Sequence, residues 1–188
     1  MLYLSSRFHD LALLSLRNGG RIGTVISPII NPHNLHIDGF YCKLQNSSNE
    51  GVLLDIAVRD ISARGLIIND PSDVSSPDEL VRLAPVLAIG YELAGKHVIA
   101  NKKKLGKIVD YAIDTTGLYV QKLYVQPPIW QTLSQHQLTF DRSTIIEITD
   151  KSVIVRGPEA PVQAEETDSL QPLLRPYSSS ANAILTKE

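Results

Sequence analysis

Short runs in which apolar and polar residues alternate dominate the chain, and each run stops at glycine, proline, asparagine or aspartate. A period of two marks a strand with one buried face, and those four residue types supply turn geometry. The pattern predicts strands over 12–17, 22–30 and 35–42, then a pair at 56–61 and 66–69. It predicts a second set over 97–101, 105–113, 118–125, 144–148 and 153–156. The first hairpin of each set turns at "RNGGR" or "ANKKK", and Asn-Gly is a strong short hairpin signal.

The two sets are copies of each other. "RIGTVISP" (21–28) and "KLGKIVDY" (104–111) both run basic, aliphatic, glycine, polar, then two β-branched residues. An offset of 83 pairs Phe8 with Tyr91, Ala12 with Gly95, Leu16 with Ile99, Gly23 with Gly106 and Ile37 with Val120. Further on the offset grows to 87, so that Val58 meets Ile145 and Leu66 meets Val153, the extra residues lying in a longer loop between 125 and 145. Two copies of about 75 residues each form an internal repeat, expected to pack as a pseudo-dimer with a binding groove between its halves.

One irregularity recurs. The apolar positions Leu35 and Ile37 give way to Phe40 and Cys42, and Leu118 and Val120 give way to Leu123 and Val125. The alternation slips by one at Asp38-Gly39 and again at Gln121-Lys122, which predicts a β-bulge in each copy. Between the copies, "SSPDELVRL" reads as a helix start, with Ser76 as N-cap, Pro77 in the first turn and Glu79 completing a capping box. Pro85 is expected to stop or kink that helix. Beyond Gly157 the chain is rich in Pro, Ser, Ala and Glu, a composition that does not fold alone. The expected organisation is mainly β: a first repeat over 1–75, a helical linker over 76–90, a second repeat over 91–157 and a disordered tail over 158–188.

Composition narrows the function. The net charge is −2, and the tail carries five acids against Arg175 and Lys187, which leaves a nearly neutral body. A protein that lives by phosphate contacts shows a clear basic excess, which is absent here. The single Cys42 cannot form an internal bridge, so a reducing, cytoplasmic setting is expected. "MLYLSSRFHDLALLSL" meets Arg7, His9 and Asp10 too early for a secretory leader, and the longest apolar run, Leu83 to Tyr91, is too short to span a bilayer.

The segment "ELAGKHVIANKKKLGKIVDYAIDTTGLYVQKLYV" (92–125) resembles the opening half of a PRC-barrel. That family includes the barrel of the photosynthetic reaction-centre H subunit and the C-terminal barrel of the ribosome-maturation factor. Leu93, Gly95, Val98, Gly106, Val109, Asp110, Asp114 and Gly117 carry the likeness, while Ser27 and Pro28 replace Asp110 and Tyr111 in the first copy. The resemblance implies two small PRC-type β-barrels in tandem and a non-enzymatic interaction module, with no cofactor.

No catalytic constellation is legible. "NGGRIG" has no helix after it and reads as a hairpin turn rather than a phosphate loop. His36 and Asp38 share a strand face near His33, but metal sites need three or four convergent ligands, and a solvated face is the expectation. Cys42 reads as a core residue. Neither a catalytic nor a metal-binding role is assigned to any residue. The candidate contacts for a protein partner are Pro127, Pro128 and Trp130 in the longer loop, and Leu173, Leu174 and Tyr177 in the tail. The alternative is an RNA- or ribosome-associated maturation factor that uses Lys102, Lys103, Lys104 and Lys107. A third idea, association with a membrane complex, requires an anchored partner, because direct insertion is not expected.

Overall fold

The computed structural model describes residues 1–128 and 137–157. The Trp130 loop and the tail from residue 158 onward, including Leu173, Leu174 and Tyr177, lie outside the described residues. In chain order the strands of the first half are β1 (Leu2–Leu4), β2 (Ala12–Ser15), β3 (Gly20–Ile30), β4 (Ile37–Leu44), β5 (Glu50–Leu54), β6 (Val58–Ser62), β7 (Gly65–Ile68) and β8 (Val74–Ser75). Helix α1 (Ala84–Ile89) follows, then β9 (His97–Ala100), β10 (Lys103–Asp114), β11 (Val120–Gln126), β12 (Leu138–Asp141), β13 (Ile145–Ile148) and β14 (Ser152–Val155). The protein is mainly β. One sheet runs β6-β7-β2-β3-β4-β5-β8, and the other runs β12-β11-β10-β9-β14-β13 with β1 added beside β10. Among the described residues, no helix is long and apolar enough to cross a membrane.

The two sheets obey one set of rules. Each is antiparallel except for one parallel pair, β2 with β7 and β9 with β14. The expected bulges are present: Ile29 pairs with Gly39 and Ile30 with Ile37, skipping Asp38, while Ala112 pairs with Lys122 and Ile113 with Val120, skipping Gln121. An extra residue lets the strand coil while its later apolar side chains stay inward, so Phe40, Cys42, Leu123 and Val125 are all fully buried.

Three sequence expectations need correction. Before the first hairpin the copies are offset by 85, not 83: Asp10 N–H donates to the Val25 carbonyl (3.0 Å) as Gly95 N–H does to that of Ile108 (2.8 Å). Phe8 therefore corresponds to Leu93 rather than Tyr91. The cause is the turn, since Ser15 faces Gly20 across four residues whereas Ala100 faces Lys103 across two. Secondly, the Ser76–Glu79 capping box forms but caps only a single 3-10 turn, and α1 starts later with Pro85 in its first turn, where a missing N–H costs nothing. Thirdly, strands β5 and β12 lie where none was expected.

The copies meet about a local two-fold relation. Ile37 N–H donates to the Leu118 carbonyl (2.7 Å), and Val120 N–H donates to the Leu35 carbonyl (3.0 Å), with His36 opposite Tyr119. Both leucines take a left-handed backbone, φ 57° and 53°. For a non-glycine residue that conformation costs on the order of 1 kcal/mol, and here it is offset by burial of both side chains and by the two reciprocal hydrogen bonds. One hydrophobic cluster runs through both sheets, from Leu13, Val25 and Phe40 to Val98, Ile108 and Leu123.

The N-terminus strengthens this junction. Strand β1 lies within the segment expected as the first repeat (1–75) yet pairs with β10 of the second, Tyr3 facing Ile113. The turn after β1 is latched to the same strand, because Ser5 and Ser6 donate their hydroxyls to the Asp110 carboxylate, which also accepts from the Tyr111 amide (2.8 Å). Burial works to raise the Asp110 pKa, but these hydrogen bonds outweigh it and hold the carboxyl below the usual aspartate range. A group depressed in this way contributes stability above its unfolded pKa of about 4 and loses it as pH falls through the folded value. In urea titrations the gap between wild type and Asp110→Asn is therefore expected to be full near neutrality and to close below about pH 4. A gap that stays constant into acid would show that the latch is not electrostatic.

Candidate partner-binding groove

The repeat breaks its own symmetry at one edge, and the break opens a groove. On β10 the outer edge accepts β1, and Thr115 N–H donates to the Met1 carbonyl (2.9 Å). In the first copy the equivalent positions are Pro28 of β3, in place of Tyr111, and Pro32 in the turn after it, in place of Thr115. Proline has no backbone donor, so this edge resists strand addition. Helix α1 packs there instead, its Val86 and Leu87 beside Ile29 and Val52. A short helix covers an edge less completely than a strand does.

Two clefts result between the copies. The larger, about 830 Å³, is lined by Pro32 and His33 of the first copy and by Ile89, Tyr91, Lys96, His97 and Lys151. The smaller, about 370 Å³, lies between Ser27–Ile30 of β3, Val86 and Tyr111. Gly90 ends α1 with φ 56° and turns the chain so that Tyr91 borders both clefts. The Lys96 ammonium stands 4.3 Å from the Tyr91 ring centroid and donates to the Asp150 carbonyl. The Tyr91 hydroxyl is buried without a hydrogen-bond partner among the described residues. Burial, with Asp150 nearby, pushes its pKa up to about 12, so it remains a neutral phenol. Lys96 and Lys151 are matched by Glu92 and Asp150 on the same walls, which makes the groove mixed in charge.

The residues singled out from sequence are dispersed. Lys102, Lys103, Lys104 and Lys107 are exposed on the β9–β10 hairpin, and none lines either cleft. None of the four forms an ion pair with a described carboxylate. Pro127 is buried and Pro128 half-buried, with the Pro127 nitrogen lying where a Cβ on Gly106 would reach it. His36 and Asp38 do meet: His36 Nδ1 is 2.8 Å from Asp38 Oδ1, and the ring packs edge-on against Tyr119, with centroids 4.7 Å apart. Arg142 lies over the Tyr119 ring, its guanidinium carbon 4.2 Å from the centroid, and donates to the Asn34 carbonyl (2.9 Å), so this cluster clasps the two copies together. His33 faces the groove instead. Cys42 is fully buried, and burial pushes its thiol up to about 12, which removes the thiolate a nucleophile needs.

The sequence analysis expected a groove between the copies but did not place Ile89–His97 and the hairpin at 148–151 on its walls. The available signal was the departure from the repeat, Pro28 and Pro32 where the second copy has Tyr111 and Thr115. The chain matches no family model, and the curated proteins searched contain no match to it.

Proposed function

We propose that the chain is a non-catalytic adaptor built from two PRC-type barrels in tandem, which binds a protein partner in the groove between them. The observation that carries this reading is the pair of clefts that meet at Tyr91, with walls from both copies and half-exposed Ile89 at the larger one. Mixed charge around an apolar floor suits a folded or extended protein segment better than a phosphate backbone. Gly106 and Asp110, two of the residues that carry the PRC resemblance, have structural work in a close strand crossing and the N-terminal latch, which supports the barrel assignment. The buried lone cysteine fits work in a reducing cytoplasm.

The second reading, RNA or ribosome association, is favoured by the four exposed hairpin lysines, which have no ion-pair partner among the described residues. One experiment separates the two. Ile89→Asp and Lys102→Glu/Lys104→Glu chains are used as bait in the native host, each eluted across a salt series. The adaptor reading expects protein partners to be lost with Ile89→Asp and kept by the lysine variant. RNA captured in a steeply salt-dependent way and lost only with the lysine variant would move the function to the hairpin.

A further inference from the structure

The fold builds one cleft twice, once in each copy, and lines them differently: the second balances Asp114 and Asp141 with Lys122 and Arg142, whereas the first is more apolar and more acidic. Both measure about 490 Å³ and occupy corresponding places beside the bulge and the 3-10 turn that follows β5 or β12. In the second copy the walls carry Gln121, Asp141, Arg142 and Ser143. At the matching positions the first copy has Asp38, Leu54, Asp55 and Ile56, and the linker adds Glu79, Leu80, Val81 and Arg82. Ile56 is 79% exposed and Val81 82% exposed, the two largest values among the large aliphatic side chains of the described residues. Ser143 at the position of Ile56 shows that the turn itself requires no isoleucine. With Leu54, Leu80 and Leu83, Ile56 and Val81 line one cleft, so the apolar surface is gathered in one place rather than scattered, as at interaction sites.

We propose that this cleft of the first copy is a docking site for an extended segment of a partner protein in which apolar side chains alternate with Lys or Arg. The apolar side chains would lie on Leu54, Ile56, Leu80 and Val81, above the small core formed by Ile29, Val52 and Leu83. The basic side chains match three carboxylates, Asp38, Asp55 and Glu79, against the single Arg82. Two of them are already oriented: Asp38 accepts from Asn31 Nδ2 (2.9 Å), and Asp38 and Asp55 flank His36 at 2.8 and 3.9 Å. Orientation in advance lowers the cost of binding. The site shares no wall residue with the groove at Tyr91, so it stands or falls independently of that reading.

The test titrates the isotopically labelled full chain with three short synthetic peptides: alternating leucine and arginine, alternating leucine and glutamate, and alternating serine and arginine. The leucine–arginine peptide is expected to shift the amide signals of Leu54–Ile56 and Glu79–Leu83 and to leave those of Asp141–Ser143 in place. An Ile56→Ser/Val81→Ser chain, altered only at exposed positions, is expected to bind it at least about tenfold more weakly. The proposal is overturned if the glutamate or serine peptide binds equally well, if the second cleft responds equally, or if the double variant binds as wild type does. It is also overturned if the free chain self-associates through this face, because the occupant would then be a second copy.

Discussion

Gly106→Ala is expected to destabilise the chain by about 3 kcal/mol, and Gly23→Ala by a similar amount. A Cβ on Gly106 would stand 2.2 Å from the Gln126 carbonyl oxygen, 2.7 Å from its carbon and 3.0 Å from the Pro127 nitrogen. On Gly23 it would stand 2.2 Å from the Lys43 carbonyl oxygen and 3.0 Å from Leu44 Cα. All of these atoms are backbone, so no side chain can swing away and the strands themselves must part. Lys43 and Gln126 are related by the same offset as Gly23 and Gly106, which is why the two penalties should match. Gly20 is the control, with nothing within 4 Å of its added Cβ, so Gly20→Ala should stay within about 0.5 kcal/mol of wild type. Urea unfolding followed by circular dichroism measures all three. If Gly106→Ala is as mild as Gly20→Ala, the close strand crossing does not exist.

Phe8→Ala is expected to cost about 3–5 kcal/mol and to loosen both sheets together. The Phe8 ring is fully buried, edge-on to Tyr3 and stacked with Phe40, each with centroids 5.3 Å apart. Tyr3 belongs to β1 in the second sheet and Phe40 to β4 in the first, so this side chain touches both. Removing it leaves a cavity at the junction that neither sheet can close alone. Native-state hydrogen exchange should therefore speed up by a similar factor for amides of β4 and β11, with one cooperative transition retained. Faster exchange confined to the first sheet would mean that the copies fold as separate domains and that the continuous core is not cooperative.

What could be read from sequence was local. The hairpins at Asn18-Gly19 and Asn101-Lys102, the bulges at Asp38 and Gln121 and the capping box at Ser76 each depend on a few adjacent residues, and each is present. Strands β5 and β12 were missed because β5 does not alternate and β12, though it alternates Leu138-Thr139-Phe140-Asp141, is only four residues long, so pairing with the neighbouring β4 and β11 makes them strands. The cleft at Ile56 was also invisible, because one isoleucine in a strand-rich sequence reads as core until its exposure is known.

The alternation of apolar residues, the repeat and the turn residues by themselves determine that this chain makes two similar β units, since side-chain period and turn geometry are properties of a few consecutive residues. Only the tertiary structure decided that β1 crosses to the second sheet, that α1 replaces a strand beside Pro28 and Pro32, and that Tyr91 and Ile56 border clefts. Those outcomes depend on which distant backbone donors are free and which apolar faces remain uncovered once the two copies meet, and no local pattern encodes that competition.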